Sequence, residues 1–172
     1  MQEIELKFLD VNIPEIIKKI KFLGAKLEYD KELHSISFYN KGFSATKSDK
    51  KEIRLRKIGD KSFITFKGPN KGKTLHIREE IELEISDINK MKKILLEMGF
   101  KSFEVKKKRK HFVLGEISFE IDDYGFIPQF LEIETKTKRD MVKICRKLDL
   151  DIKNGKNKTI MELFPEKFPE ER

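Results

Sequence analysis

Hydrophobic and polar positions along the chain fall into eight stretches with strand character and three that repeat with helical spacing. The first, EIELKF from Glu3, sets Ile4, Leu6 and Phe8 against Glu3, Glu5 and Lys7. HSISFYN, EIRLRK, SFITFK, IREEIELEI, FEVKKKRKHFVL, EISFEID and QFLEIETK either continue the alternation or are rich in β-branched and aromatic residues. Eight strands suffice to close a barrel. PEIIKKIKFLG, DINKMKKILLEMG and KRDMVKICRKL predict helices. Pro14 opens the first and Gly24 follows it, while Asp87 caps the second and Gly99 stops it. GPNKGK at 68–73 and Gly115 in VLGEI mark tight connections.

The chain also repeats itself. EIELKF and a helix ending in LGAK match EIELEI from Glu80 and a helix ending in MGFK, and EIETK at 132–136 again leads into a helix. Two or three strand-then-helix units suggest an antiparallel sheet closed from duplicated parts, with helices against its outside. The expected class is α+β, a closed eight-stranded antiparallel β-barrel with helices packed on its exterior.

At alternate positions the polar sides of the strands read Glu3, Glu5, Lys7; Arg54, Arg56; Lys67; Arg78, Glu80, Glu82, Glu84; Lys107, Arg109; Asp122; and Glu132, Glu134, Lys136. The opposite sides carry Ile4, Leu6, Ile53, Leu55, Ile77, Ile81, Leu83, Ile85, Ile121, Leu131 and Ile133. A sheet with one solvated face would show the same alternation, its charges paired across strands at ~0.2 to 1 kcal/mol each. Two features turn the charged side inward instead. Solvated faces usually mix in Thr, Ser and Gln, whereas nearly every position here is ionisable and the charges come in blocks. The helices carry apolar stripes that need an apolar surface, and if they cover the outside of the sheet, the charged side lines the interior. Burying so many unpaired ions would cost several kcal/mol apiece. Such an interior must hold water, metal ions and a polyanion.

Spacing then suggests chemistry. Glu3 and Glu5 lie two strand steps apart, roughly 6.6 to 6.8 Å, so their carboxylates can converge on a hard cation such as Mg²⁺, with oxygen ligands at about 2.0 to 2.1 Å. Glu132 and Glu134 repeat the arrangement. Arg and Lys, which only donate, suit phosphate oxygens, Arg in a bidentate fork and Lys as a point charge.

Composition changes this picture little. A chain of 172 residues with no Pro/Gly/Ser-rich linker is read as one domain, 1–164, followed by a tail, 165–172, whose Pro and charge content favours looseness. The net charge of +8 fits an anionic partner, although Lys-rich composition alone can produce it. One cysteine, Cys145, excludes an internal disulfide and reads as a structural thiol in a helix. With neither a leader-like start nor ~18 consecutive apolar residues, a cytoplasmic protein without membrane association is expected. His34, His76 and His111 are too dispersed for a metal triad. VKKKRKH at 105–111 is divided by a strand between two faces and lacks the interleaved aromatics that stack bases, which argues against nucleic acid.

EIELK resembles the ExExK signature of the CYTH family, the triphosphate tunnel metalloenzymes, which include class IV adenylyl cyclases, thiamine triphosphatases and inorganic triphosphatases. RLR, TFKG, REEIE, KKR, EID, FLEIE and the late KTIMELF resemble further family motifs in the same order, from Glu3 to about Phe164. The resemblance implies a barrel tunnel that holds Mg²⁺ or Mn²⁺ and a triphosphate. It assigns Glu3, Glu5, Glu132, Glu134 and Asp122 to the metal, and Lys7, Arg54, Arg56, Lys67, Arg78, Lys107 and Arg109 to phosphates. Glu80 and Glu82 would stand in the same tunnel, and Glu5, Lys7 and Lys67 would be closest to the chemistry. Two places depart from the family pattern. The second strand has His34, Ile36, Phe38 and Tyr39 where many relatives have Gln, Asp and Tyr, and Thr159 and Ile160 replace a late Ser-Tyr.

The expected activity is hydrolysis of a phosphoanhydride bond in inorganic triphosphate, ATP or thiamine triphosphate. The alternatives are cyclisation of ATP to cyclic AMP and pyrophosphate, and a non-catalytic polyphosphate- or RNA-binding module. A homodimer is compatible with all three.

Overall fold

The computed structural model describes residues 2–168 and closes eight antiparallel strands into a barrel. The strands are β1 (Gln2–Phe8), β2 (Lys26–Tyr39), β3 (Glu52–Ile58), β4 (Lys61–Lys67), β5 (His76–Ile85), β6 (Lys101–Leu114), β7 (Ile117–Asp123) and β8 (Phe130–Thr135). Their order around the barrel is β1-β5-β4-β3-β2-β6-β7-β8, so the first strand is also the closing seam between β5 and β8.

Helices α1 (Ile13–Phe22), α2 (Ile88–Glu97) and α3 (Lys138–Lys147) are the three that periodicity predicts. Each is started by a side chain: Asn12, Asp87 and Thr137 accept hydrogen bonds from backbone N–H groups of the following turn. Gly24 and Gly99 end α1 and α2 with φ of 92° and 84°, a conformation open to glycine at little cost. A fourth helix, α4 (Ile160–Leu163), is a single turn closed by a capping box between Thr159 and Glu162. It is too short for any period to reveal.

The apolar sides of the strands face outward, mostly under the helices, although Ile81 and Leu83 of β5 are exposed. Ile4, Leu6, Phe119, Leu131 and Ile133 pack with Ile16 and Ile20 of α1 and Met141, Ile144 and Cys145 of α3, and Leu6 and Ile133 are wholly buried. Ile36, Phe38 and Leu55 meet Leu95 of α2 in a second cluster. The main hydrophobic packing therefore surrounds the barrel, which leaves the interior to the charged sides.

The segment after α3 is tied to the barrel. Lys156 and Lys7 exchange backbone hydrogen bonds of 2.8 and 3.0 Å. At the neighbouring Gly155 a Cβ would come 2.8 Å from Leu6 Cδ1, so a side chain would hold the segment off the strand. Beyond α4, Pro165–Lys167 make a 3₁₀ turn, and Phe168 packs with Ile127, Phe130 and Ile160. Residues 169–172 of the expected tail lie outside the described residues. Among the described residues no helix is long and apolar enough to cross a membrane.

Candidate functional site

Antiparallel register gathers the inward side chains. On β1, Glu3 is opposite Arg78 and Glu5 opposite His76 on β5; on its other side Glu5 is opposite Glu134 and Lys7 opposite Glu132 of β8. Across β3, β4 and β5, Glu52 pairs with Lys67 and Lys67 with Glu80, while Arg54 pairs with Thr65 and Thr65 with Glu82. Arg109 of β6 is opposite Asp122 of β7, and Glu120 is opposite Glu132 of β8. Because side chains alternate, residues opposite one another share a face. The residues singled out from the sequence thus share the inner face, with Glu82 at an exposed rim.

Two groups of three carboxylates stand within this tunnel. In the first, Glu3, Glu5 and Glu134 place carboxylate oxygens within 4.8 Å of one another. Glu5 Oε1 is 2.7 Å from both Lys7 Nζ and His76 Nδ1. Burial would raise the Glu5 carboxyl, but Lys7 and His76 outweigh it and hold the group well below its usual range. Glu3 and Glu134 are differently placed. Burial, only partly offset by Lys67 and reinforced by Glu80, pushes Glu3 up to about 8. Burial and the nearby Glu120, Glu3 and Glu132 push Glu134 well above the ordinary carboxyl. An all-oxygen group holding two carboxyls that lack enough positive charge fits a hard divalent cation.

The second group, Glu120, Asp122 and Glu132, is likewise within 4.8 Å, but its charges are answered by the protein. Arg109 grips Asp122 with two hydrogen bonds of 2.6 Å and also pairs with Glu120, while Lys107 Nζ reaches Asp122 at 2.6 Å. Lys7 lies 3.1 Å from Glu132. Burial opposes ionisation of Glu120, yet Arg109 overrides it and brings the group down to about 2. Asp122 is depressed for the same reason. Lys107 is lowered to about 8, first by burial and then by Arg109.

The bases are paired unevenly. Lys67 Nζ sits 2.6 Å from Glu80 and 3.4 Å from Glu3, and Arg56 Nη2 is 2.8 Å from Glu82. Arg78 bonds Glu52 through Nη1 at 3.0 Å, but its Nε and Nη2 are buried with no hydrogen-bond partner among the described residues. The same holds for Nε of Arg54 and Nε of Arg56. Since buried donors are rarely left unpaired, such guanidinium groups call for acceptor oxygens from outside the chain.

Several inward residues escaped the sequence reading. His76, Glu52 and Glu120 precede Arg78, Arg54 and Asp122 by two positions, so extending each alternation by one step would have found them. On β2 the inner face belongs to Ser35 and Ser37, which border the tunnel cavity; Ile36 and Phe38 point out toward α2, and His34 meets Glu104 at 2.8 Å. Within VKKKRKH, Lys107 and Arg109 point in, while Lys110 pairs with Asp30 in a solvent-exposed contact. One wall of the cavity has little charge: Val105, Tyr124, Phe130 and Met161 stand beside the two serines, and Lys107 Nζ lies over the Tyr124 ring at 5.4 Å.

Comparison with known proteins agrees with this architecture. The CYTH domain model matches residues 1–151. A Methanocaldococcus jannaschii protein named "Putative adenylate cyclase MJ0240" is 30% identical over 171 residues, covering 94% of this chain and 96% of its own length. The PH1012 protein of Pyrococcus horikoshii superposes with a TM-score of 0.79 at 30% identity, over 94% of this chain and 98% of that one. The PH1819 protein of the same organism gives 0.74 at 27% identity, over 96% and 99%.

Proposed function

From the premise that this chain belongs to the CYTH domain family, whose members are triphosphatases or adenylyl cyclases, we propose that it hydrolyses a phosphoanhydride bond of a triphosphate held in the tunnel with Mg²⁺ or Mn²⁺. One observation carries the reading. The tunnel is short of positive charge at Glu3 and Glu134 and elsewhere holds buried guanidinium N–H groups of Arg54 and Arg78 that find no acceptor among the described residues. A metal-bound polyphosphate supplies both deficits at once.

In this reading Glu3, Glu5 and Glu134 hold the cation. Bound there, it would neutralise phosphate charge and act as a Lewis acid on a phosphoryl oxygen. The chain's own residues do the rest. Arg54, Arg56 and Arg78 clamp phosphate oxygens, and Lys7 and Lys67, kept protonated by neighbouring carboxylates despite burial, offset the charge that moves to the leaving group. Lys107 and Arg109 form the far basic wall. Asp122 and Glu120 fix those bases in direction, Glu132 does so for Lys7, and Glu80 for Lys67. Water attacks phosphorus, the bridging P–O bond breaks with its electron pair going to the leaving phosphate, and the released proton ends on the products or in solvent.

The name of the M. jannaschii relative and the neutral wall of Val105, Tyr124 and Phe130 favour a second reading. In it, the 3′-hydroxyl of ATP attacks the α-phosphorus and releases pyrophosphate. Incubation of the protein with tripolyphosphate, ATP or thiamine triphosphate under Mg²⁺ and then Mn²⁺, followed by phosphorus NMR, separates the two. Orthophosphate supports hydrolysis, cyclic AMP with pyrophosphate supports cyclisation, and unchanged substrate in every tube rejects both.

A further inference from the structure

The loop between β2 and β3, residues 40–51, serves two cavities. Ala45, which is buried, lines the tunnel cavity beside Thr159, Ile160 and Met161. Its neighbour Ser44 instead lines a separate surface cavity, bordered by Lys41, Lys47 and Lys50 of the same loop and by Lys101 of β6. The loop is anchored at both flanks: Asn70 donates its backbone N–H to the Ser48 carbonyl at 2.7 Å, and Ser48 Oγ donates to Glu162 of α4 at 3.2 Å. A single tethered loop therefore forms a wall of both cavities.

The charge of the outer cavity is one-sided. Residues 40–51 hold four lysines and one acid, Asp49. Lys7, Lys67 and Lys107 in the tunnel all have carboxylate partners. By contrast, neither Lys41 nor Lys47 makes an ion pair among the described residues, and Lys50 Nζ donates to the backbone carbonyl of Lys41 at 3.1 Å, which places it without neutralising it. Ammonium groups gathered in this way attract an anion of several charges, and as compact point charges they suit phosphate oxygens. A nucleobase would need a free ring to stack on. The rings here are engaged: Phe43 meets Phe100 edge to face at 5.3 Å with Lys51 Nζ over it at 5.8 Å, and Tyr39 lies against Phe103 at 6.1 Å. An anion without rings fits better.

We propose that this cavity is a second anion site, outside the tunnel, that holds the tail of an inorganic polyphosphate longer than three units while the chain's end lies in the tunnel. The assignment rests on the functional reading above and lengthens its substrate. One molecule then occupies two sites, so the outer contact forms at high local concentration and raises affinity without any new group in the tunnel.

Lys41→Ala combined with Lys47→Ala removes two exposed ammonium groups that bond nothing in the fold. With Mn²⁺, the wild-type KM for a polyphosphate several times longer than tripolyphosphate, counted per chain, is expected to lie on the order of tenfold below that for tripolyphosphate. In the double variant this advantage shrinks to about twofold or less, while kcat and KM for tripolyphosphate stay at wild-type values. Lys106→Ala with Lys108→Ala, two exposed lysines of β6 away from the cavity, removes the same charge and should leave the advantage whole. A chain-length advantage that survives loss of Lys41 and Lys47 overturns the proposal, and so does one lost equally in the β6 control, which would reduce it to net charge. Titration of the metal-free proteins with the long polyphosphate, and with a single-stranded oligonucleotide of equal charge, reads the site without turnover. Weaker polyphosphate binding in the Lys41 and Lys47 variant alone is expected. Equal binding by wild type and variant removes the anion site whatever the activity, and an oligonucleotide that binds tighter and loses more gives the cavity to nucleic acid instead. A wild-type protein that binds the chain through these lysines yet leaves every phosphate intact would sink the functional reading and, with it, the role of the cavity in holding a substrate.

Discussion

The two carboxylate groups of the tunnel have similar membership and opposite electrostatics. Glu120, Asp122 and Glu132 are answered by Arg109, Lys107 and Lys7, which depress Glu120 and Asp122. Glu3, Glu5 and Glu134 share fewer bases, and two of the three carboxyls are driven upward. Acidic clustering alone would have marked both as cation sites. The balance of charge separates them, because a group already satisfied by arginine gains little from a metal, whereas an underneutralised group gains much. The cluster of Glu120, Asp122 and Glu132 is read as the scaffold that fixes the basic wall, and that of Glu3, Glu5 and Glu134 as the cation seat.

The largest effect that would break this comparison is at Asp122. Asp122→Asn leaves Arg109 and Lys107 buried beside a neutral partner, and removing one member of a buried pair typically costs about 3 to 5 kcal/mol. Urea denaturation of the metal-free variant should show that loss, and a stability close to wild type would mean that the basic wall stands without Asp122. Glu134→Gln should do the reverse. Removal of an underneutralised carboxylate raises metal-free stability at pH 8, while activity falls by at least about 100-fold, since even outer groups around a metal can cost 10- to 100-fold. Retained Mn²⁺ affinity and turnover in Glu134→Gln would take that residue out of the cation seat.

The clusters also differ in how they respond to pH. Glu3 rises from 4.5 to about 8 on folding, so its contribution to stability is complete below 4.5 and disappears as pH climbs through 8. Glu120 falls from 4.5 to about 2, so its contribution is present above 4.5 and disappears as pH drops toward 2. Calorimetric melting of the metal-free protein should therefore give a maximum near the bottom of the Glu3 window, with limbs of opposite origin. Mn²⁺ should flatten the alkaline limb and leave the acid limb alone, because the cation replaces the proton only at the first cluster. A metal that shifted both limbs equally would erase the distinction.

Much of this was legible in the sequence because alternation has a fixed phase. Once Ile4 and Leu6 are assigned to the helix-covered exterior, Glu3, Glu5 and Lys7 must face the other way, and register carries that choice to the neighbouring strands. The balance of charge within the tunnel was not legible. Asp122 and Glu134 look equivalent in the sequence, and only pairing across strands shows that one faces Arg109 and the other Glu5. On β2 the apolar residues Ile36 and Phe38 drew attention, while the two serines between and before them form the inner face. Small neutral side chains give a pattern reading little to hold, although they shape the wall that an organic substituent would meet. The single turn of α4 lies below the length at which periodicity says anything.

The smallest expected effect tests the phase itself. Lys110 is an outward residue of VKKKRKH, paired with Asp30 at 2.6 Å with both side chains nearly half exposed, whereas Lys107 and Arg109 on the same strand point into the tunnel. An exposed pair of this kind contributes about 0 to 1 kcal/mol, so Lys110→Ala should barely move the denaturation midpoint. It should also leave tripolyphosphate affinity, and the dependence of that affinity on salt, where they are in the wild-type protein. Were the basic run instead an outer surface for a polyanion, loss of Lys110 would weaken binding and reduce the salt slope by about one unit. Isothermal titration at several salt concentrations distinguishes the two, because the tunnel reading requires the adjacent basic residues Arg109 and Lys110 to differ in whether the ligand feels them.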